Sequence, residues 1–202
     1  MVKIKTVVSF LLDETGSMFG VKEKTINSFN EYVQALKGEK NKISMTLTRF
    51  NSDAVKIDYV DKAIKDVPEL TDKIYQPNAM TPLFDAIGKT AKELKEKLKG
   101  QKDIKVLMVI LSDGQENYSK EYKLDDIKAL IKENEKDSWT FIYLGADQNA
   151  WDEASKFGIA RGNTLSIKKA AMGSSMAGLA RSTVMYAQSS TRQTKNFFNE
   201  DK

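Results

Sequence analysis

Two runs of almost unbroken apolar character constrain this chain most: Val7-Val8-Ser9-Phe10-Leu11-Leu12 and Val106-Leu107-Met108-Val109-Ile110-Leu111. A strand with one face in water alternates apolar and polar residues. A strand-length run that is apolar at nearly every position belongs in the interior of a sheet covered on both faces. Covering both faces takes helices on each side, and the rest of the chain has the periodicity to supply them.

Strands are expected at Ile4 to Leu12, Ile43 to Phe50, Val55 to Tyr59, Ile104 to Leu111, Trp139 to Leu144 and, briefly, Asn163 to Ile167. Between them, Thr25 to Leu36 places Ile26, Phe29, Val33 and Leu36 three or four apart, and Pro82 to Leu98 does the same with Leu83, Ile87, Leu94 and Leu98. Further helices are expected at Lys123 to Glu133, Asn149 to Phe157 and about Lys168 to Ala187, the last interrupted by Gly173 and Gly178. Thr81-Pro82 reads as a helix start, a capping hydroxyl followed by proline at the first helical position. The runs on either side of Asn51-Ser52-Asp53-Ala54 read as a hairpin. Alternating strands and helices with one hairpin predict a doubly wound, Rossmann-like α/β fold: a mostly parallel six-stranded sheet with one antiparallel edge strand and helices on both faces. One domain is expected over residues 1–187. From Gln188 the chain is polar and charged, which predicts a flexible tail over 188–202. Phe197-Phe198 in that tail has no evident core to join, and reads either as a docking anchor or as incidental packing.

Composition narrows the chemistry. Among 202 residues there is no Cys and no His, which excludes thiolate and imidazole metal sites, disulfides, and Ser-His or Cys-His nucleophiles. Carboxylates, hydroxyls, Lys, Arg and Tyr remain, and these favour oxygen-coordinated metals or binding. The basic, apolar start of the chain runs straight into Asp13-Glu14 with no small-residue cleavage site, so no signal peptide is expected, and a cytoplasmic setting is. No apolar run is long enough to span a membrane. The net charge of +4 gathers late: residues 160–202 hold seven Lys or Arg against two acids, leaving 25 against 26 before them. That basic end reads either as a solvated face or as a surface for an acidic partner, and nucleic acid is not the expected ligand.

Asp13-Glu14-Thr15-Gly16-Ser17-Met18 follows directly on the first apolar run and offers a carboxylate and two hydroxyls at alternate positions. Oxygen donors on a loop leaving a buried strand suit a hard divalent cation. Met80-Thr81-Pro82-Leu83-Phe84-Asp85 and the strand end Leu111-Ser112-Asp113-Gly114 would complete such a set. Each segment alone also fits a plainer role: a polar turn, a helix cap and an Asp-Gly turn respectively. Their occurrence together and in order resembles the von Willebrand factor A domain with its metal-ion-dependent adhesion site. That family's pattern is Asp-x-Ser-x-Ser, a distant Thr and a distant Asp; here it reads Asp13-x-Thr15-x-Ser17, Thr81 and Asp113, with Thr for the first Ser as the one departure. Segments Gly145 to Trp151 and Gly158 to Leu165 resemble compact bacterial and phage members.

The resemblance implies Mg²⁺, with Mn²⁺ or Ca²⁺ as substitutes, held by those five residues, and a partner protein that offers an Asp or Glu to the metal. Glu14, Glu116 and Asn117 flank the site, as charge-tuning groups or as solvated loop residues; Met18 and Phe19 either form an apolar rim or fold inward. The expected function is a metal-dependent protein-binding module, an adaptor or subunit of an intracellular complex. A metal-dependent phosphohydrolase is the alternative, against which stand the missing second carboxylate at Thr15 and the lack of a glycine-rich phosphate loop.

Overall fold

The structure is a computed structural model and describes residues 4–40, 42–146 and 150–198. Strands β1 (Lys5–Asp13), β2 (Ile43–Phe50), β3 (Val55–Ala63), β4 (Ile104–Ser112), β5 (Trp139–Ala146) and β6 (Thr164–Ile167) form one sheet in the order β3-β2-β1-β4-β5-β6. Every neighbouring pair is parallel except β2 with β3, the hairpin at the edge. The two apolar runs are β1 and β4, paired side by side in the middle of the sheet, Val8 opposite Leu107 and Leu12 opposite Leu111. The fold is therefore the doubly wound α/β arrangement that the sequence predicts.

Alternation along these strands sorts the core into two layers. Val8, Phe10 and Leu12 of β1 join Leu107, Val109 and Leu111 of β4 on the face covered by α1 (Lys22–Lys37) and α5 (Met172–Gln188). Val7 and Leu11 join Val106, Met108 and Ile110 on the face covered by α2 (Leu83–Leu98), α3 (Leu124–Lys136) and α4 (Ala150–Lys156). Phe29 and Tyr32 of α1 sit on Phe10 with ring centroids 5.3 and 5.6 Å away. Large side chains buried this fully contribute about 1.5–3 kcal/mol each, so the two layers dominate the stability.

Element ends differ from the expected ones in both directions: β3 continues four residues past Tyr59 to Ala63, with register irregularities opposite Met45 to Thr48, whereas α5 starts at Met172 rather than near Lys168. The expected start of the fourth helix at Asn149 and part of the Gly145 to Trp151 segment lie outside the described residues. Among the described residues no helix is long and apolar enough to cross a membrane.

The end of the chain departs from expectation. Residues 189–198 lie packed along the lower rim of the sheet, at the N-terminal ends of β4, β5 and β6. Phe197 is 2 % exposed and meets Tyr186 of α5 with ring centroids 5.9 Å apart, and Phe198 packs on Phe197. The pair thus has a core to join, which helix α5 builds. Asn163 clamps the segment by donating to the Thr194 carbonyl (2.7 Å) and accepting from the Phe197 N–H (3.0 Å).

Lys105, inside β4 and fully buried, explains how the strap is held. Its ammonium donates to the carbonyls of Tyr186, of Ser189 (2.8 Å) and of Thr191 (3.0 Å), and lies 4.2 Å from the centre of the Tyr186 ring. The last carbonyls of a helix lack partners within it and carry partial negative charge, so a cation there satisfies both needs at once. A buried lysine is otherwise costly. Removing the anchor should be felt by the whole domain: Phe197→Ala is expected to lower the free energy of unfolding by about 3–5 kcal/mol in a denaturant titration, whereas a flexible tail would give no change.

Candidate metal centre

At the upper end of β1 and β4 the chain departs in opposite directions. From β1 it crosses by α1 to β2 on one side; from β4 it crosses by α3 to β5 on the other. Such a divergence opens a crevice beyond the strand ends, where ligands of open α/β sheets gather. Asp13 ends β1 and Asp113 follows the end of β4, so sheet register alone brings two of the five candidate residues together.

Hydrogen bonds bring in the rest. Asp13 is fully buried; one carboxylate oxygen accepts the Thr15 N–H (2.8 Å) and the other the Ser112 hydroxyl (2.5 Å). The Thr15 and Ser17 hydroxyls lie 3.1 Å apart, and the Ser17 hydroxyl donates to Asp113. Thr81 arrives on a third segment, stitched to the first loop by two backbone bonds, Gly16 N–H to the Ala79 carbonyl (3.1 Å) and Asn78 N–H to the Glu14 carbonyl (3.0 Å). Ala79 takes a left-handed conformation (φ 62°) to make this turn, a modest strain at the rim of the site. Gly114 lets Thr81 come close: a β-carbon there would stand 2.8 Å from the Thr81 hydroxyl oxygen. All five residues are thus gathered at one place.

Electrostatics suits a cation. Burial pushes the Asp13 carboxyl up to about 6; bonds from Ser112 and Thr15 oppose the rise, and the charge of Asp113 adds to it. A positive ion would relieve both carboxylates. Among the described residues no three acidic side chains converge as a metal-holding group, so a cation would rest on two carboxylates and three hydroxyls. That set is all oxygen, the donor type hard divalent ions take, and it fits such an ion.

Several flanking residues have roles that sequence alone does not assign. Glu14 faces away from the site and is buried against Arg49 of β2, whose guanidinium contacts both its carboxylate oxygens (2.7 and 2.8 Å) and also grips Asp58 of β3. Glu14 is therefore neither a solvated loop residue nor an exposed charge beside the site. Glu116 and Asn117 are structural as well. Asn117 accepts the Thr81 N–H (2.9 Å) and returns its own N–H to the Thr81 carbonyl (3.1 Å), while Glu116 accepts the Phe84 N–H (2.8 Å) at the start of α2. Helix α2 begins at Leu83 with Pro82 as its first flanking residue, so the Thr81 hydroxyl does not cap it; Glu116 and Ser119 do that from another loop. Met18 folds inward and Phe19, 71 % exposed, turns out.

Asp85 is the residue that fixes the loop carrying Asp113. It accepts the N–H groups of Lys120, Glu121 and Tyr122, each at 2.9 Å. Burial works against its ionisation, but those N–H groups and the Lys89 charge outweigh it and hold the carboxyl below the ordinary carboxylate range. Ser112, Arg49 and Asp85 are the groups that sequence reasoning passes over. Ser112 leaves one trace there, a polar residue closing a mostly apolar strand.

With this arrangement in view, the similarities to known proteins acquire meaning. Residues 8–195 match the family model of the von Willebrand factor type A domain. The chain belongs to that family. Family members are for the most part protein-interaction modules, and a binding role for this chain follows at that level. No curated protein matches it in sequence. Among solved structures it is similar to the von Willebrand domain of the type V pili tip protein Mfa5 from Porphyromonas gingivalis, at 10% identity and a TM-score of 0.67, covering 94% of this chain and 98% of that one. It is also similar to the manganese-loaded TRAP protein of Plasmodium vivax, at 14% identity and a TM-score of 0.61, covering 86% and 72%. Proximal thread matrix protein 1 from the mussel byssus gives 12% identity and a TM-score of 0.63; this von Willebrand domain covers 86% of itself but spans only 46% of that chain. At such identities the likeness is one of fold.

Replacing Asp85 by Ala leaves three N–H groups without their acceptor, at an expected cost of about 1–3 kcal/mol at neutral pH. Because the folded carboxyl titrates below its unfolded value, this stabilisation is complete above the ordinary carboxylate range and is lost as acid protonates the folded form. Unfolding titrations of wild type and Asp85→Ala should accordingly converge in strong acid.

Proposed function

We propose that this von Willebrand domain is a metal-dependent protein-binding module that captures an acidic side chain of a partner, as an adaptor or subunit of an intracellular complex. The observation that carries the reading is the convergence of Asp13, Thr15, Ser17, Thr81 and Asp113 from three separate segments on the crevice between β1 and β4. A bound Mg²⁺, or Mn²⁺ or Ca²⁺ in its place, would supply positive charge and an exchangeable coordination position.

The chain's own residues do the rest. Asp13 and Asp113 supply two negative charges, formally matching those of a divalent ion; Thr15, Ser17 and Thr81 supply neutral oxygens and add none, so the donor set builds up no surplus of negative charge. An open coordination position with no surplus of negative charge around it is one that an incoming carboxylate can take. Ser112 and the Thr15 N–H hold Asp13 in place, Asn117 holds Thr81, and the Arg49 ion pair keeps the Glu14 carboxylate away from the centre. The manganese carried by the TRAP neighbour supports a divalent ion as the ligand. Catalysis is not part of this reading: Thr15 stands where a phosphoaspartyl enzyme needs its second carboxylate.

Two measurements test it. Wild type should gain thermal stability as Mg²⁺ or Mn²⁺ is added, by about 2.7 kcal/mol at a hundredfold excess over Kd, and Asp113→Ala should gain none. An equal gain in the variant would refute the assigned centre. Gly114→Ala, which drives a methyl group onto the Thr81 hydroxyl, should weaken metal binding in calorimetry more than tenfold, about 1.4 kcal/mol or more, while the folded domain persists.

A further inference from the structure

Away from the crevice, a cavity of about 420 Å³ opens between β2, the edge strand β3, helix α1 and residues 68–74. Its floor is core: Phe29, Leu47 and Leu70 line it, although each is less than 5 % exposed. That size is within the range of small-molecule sites, about 300–1,000 Å³. Its charged lining residues are Arg49, Lys56, Lys62 and Lys73 against Asp58 and Glu69. Asp58 lies 4.0 Å from Lys56 but is already gripped by Arg49. The lining thus carries more positive than negative groups, a surplus that a bound anion would offset.

We propose that this cavity binds a small anionic amphiphile, with an apolar body on Tyr59, Pro68 and Ile74 above the core floor and a carboxylate, sulfonate or phosphate head held by Lys56, Lys62 and Lys73. The site stands independently of the metal centre, yet shares a wall with it. Arg49 lines the cavity and on its other side holds Glu14, the residue after Asp13. An occupant would therefore press on the ion pair that fixes the first loop of the crevice.

The probe is 1-anilinonaphthalene-8-sulfonate, an aromatic body with one sulfonate, followed by its fluorescence on the full chain. Saturable binding at one site is expected, displaced by decanoate at far lower concentration than by decanol. The Lys62→Glu/Lys73→Glu variant should bind about tenfold more weakly, as two reversed charge contacts imply. Lys73→Glu alone, on an exposed segment, carries the same test if the double change disturbs folding. Met185→Asp, in the separate apolar groove between α1 and α5, should leave the probe's affinity unchanged. Absence of saturable binding, equal competition by decanol, indifference to the lysine reversals, or loss in Met185→Asp would each overturn the proposal.

Discussion

The pairing of β1 with β4 is the constraint on which the rest depends. Both strands are apolar on both faces, so neither is stable at an edge, and burying each against helices on two sides forces them to the middle of the sheet. Their ends then coincide, and with them Asp13, Ser112 and Asp113. A site assembled in this way inherits the rigidity of the core: shifting β1 by one residue against its neighbours would exchange its two faces and turn buried side chains toward the wrong layer. The position of the candidate centre is thus a consequence of core packing.

Loops complete what register begins, and they do so with polar groups that are themselves buried. Arg49 ties Glu14 to Asp58 and to the Ile74 carbonyl (2.5 Å), so one guanidinium joins β2, β3, the first loop and the segment that leads to Thr81. Asp85 does the equivalent on the far side by gathering three N–H groups of the loop after Asp113. Breaking either by removing one partner leaves an uncompensated buried group, which costs far more than the intact interaction contributes. Both clusters hold the segments beside the crevice in fixed places before any ligand arrives.

The order of strands and helices, the hairpin and the two central strands were legible because apolar periodicity reports burial directly. The five oxygen-bearing residues were picked out by their resemblance to a family pattern, and the fold brings them to one crevice. Glu14, Glu116 and Asn117 were not legible: a carboxylate or amide in a loop looks the same in sequence whether it meets water, a metal or a distant backbone N–H. Phe197-Phe198 misled for a related reason. A polar stretch ahead of it predicts a flexible end, but Tyr186, Asn163 and Lys105, remote in sequence, make a place for it. Lys105 itself reads as an interruption in an apolar strand, and its purpose exists only once α5 has brought its terminal carbonyls alongside.

The same logic separates the two ends of the sheet. At the lower rim, Lys105 meets carbonyls that need a donor, and the charge is consumed in holding the strap. At the upper rim, Asp13 is buried beside a second carboxylate, held by the Ser112 hydroxyl and the Thr15 N–H, and burial together with the Asp113 charge drives its carboxyl toward protonation. A fold under selection for stability alone has simple remedies for that position, an amide or an apolar residue of similar size. Keeping two acids there makes sense where positive charge is to be received. Two acids among hydroxyls would balance a divalent charge without exceeding it, so the proposed centre would not repel a further anion.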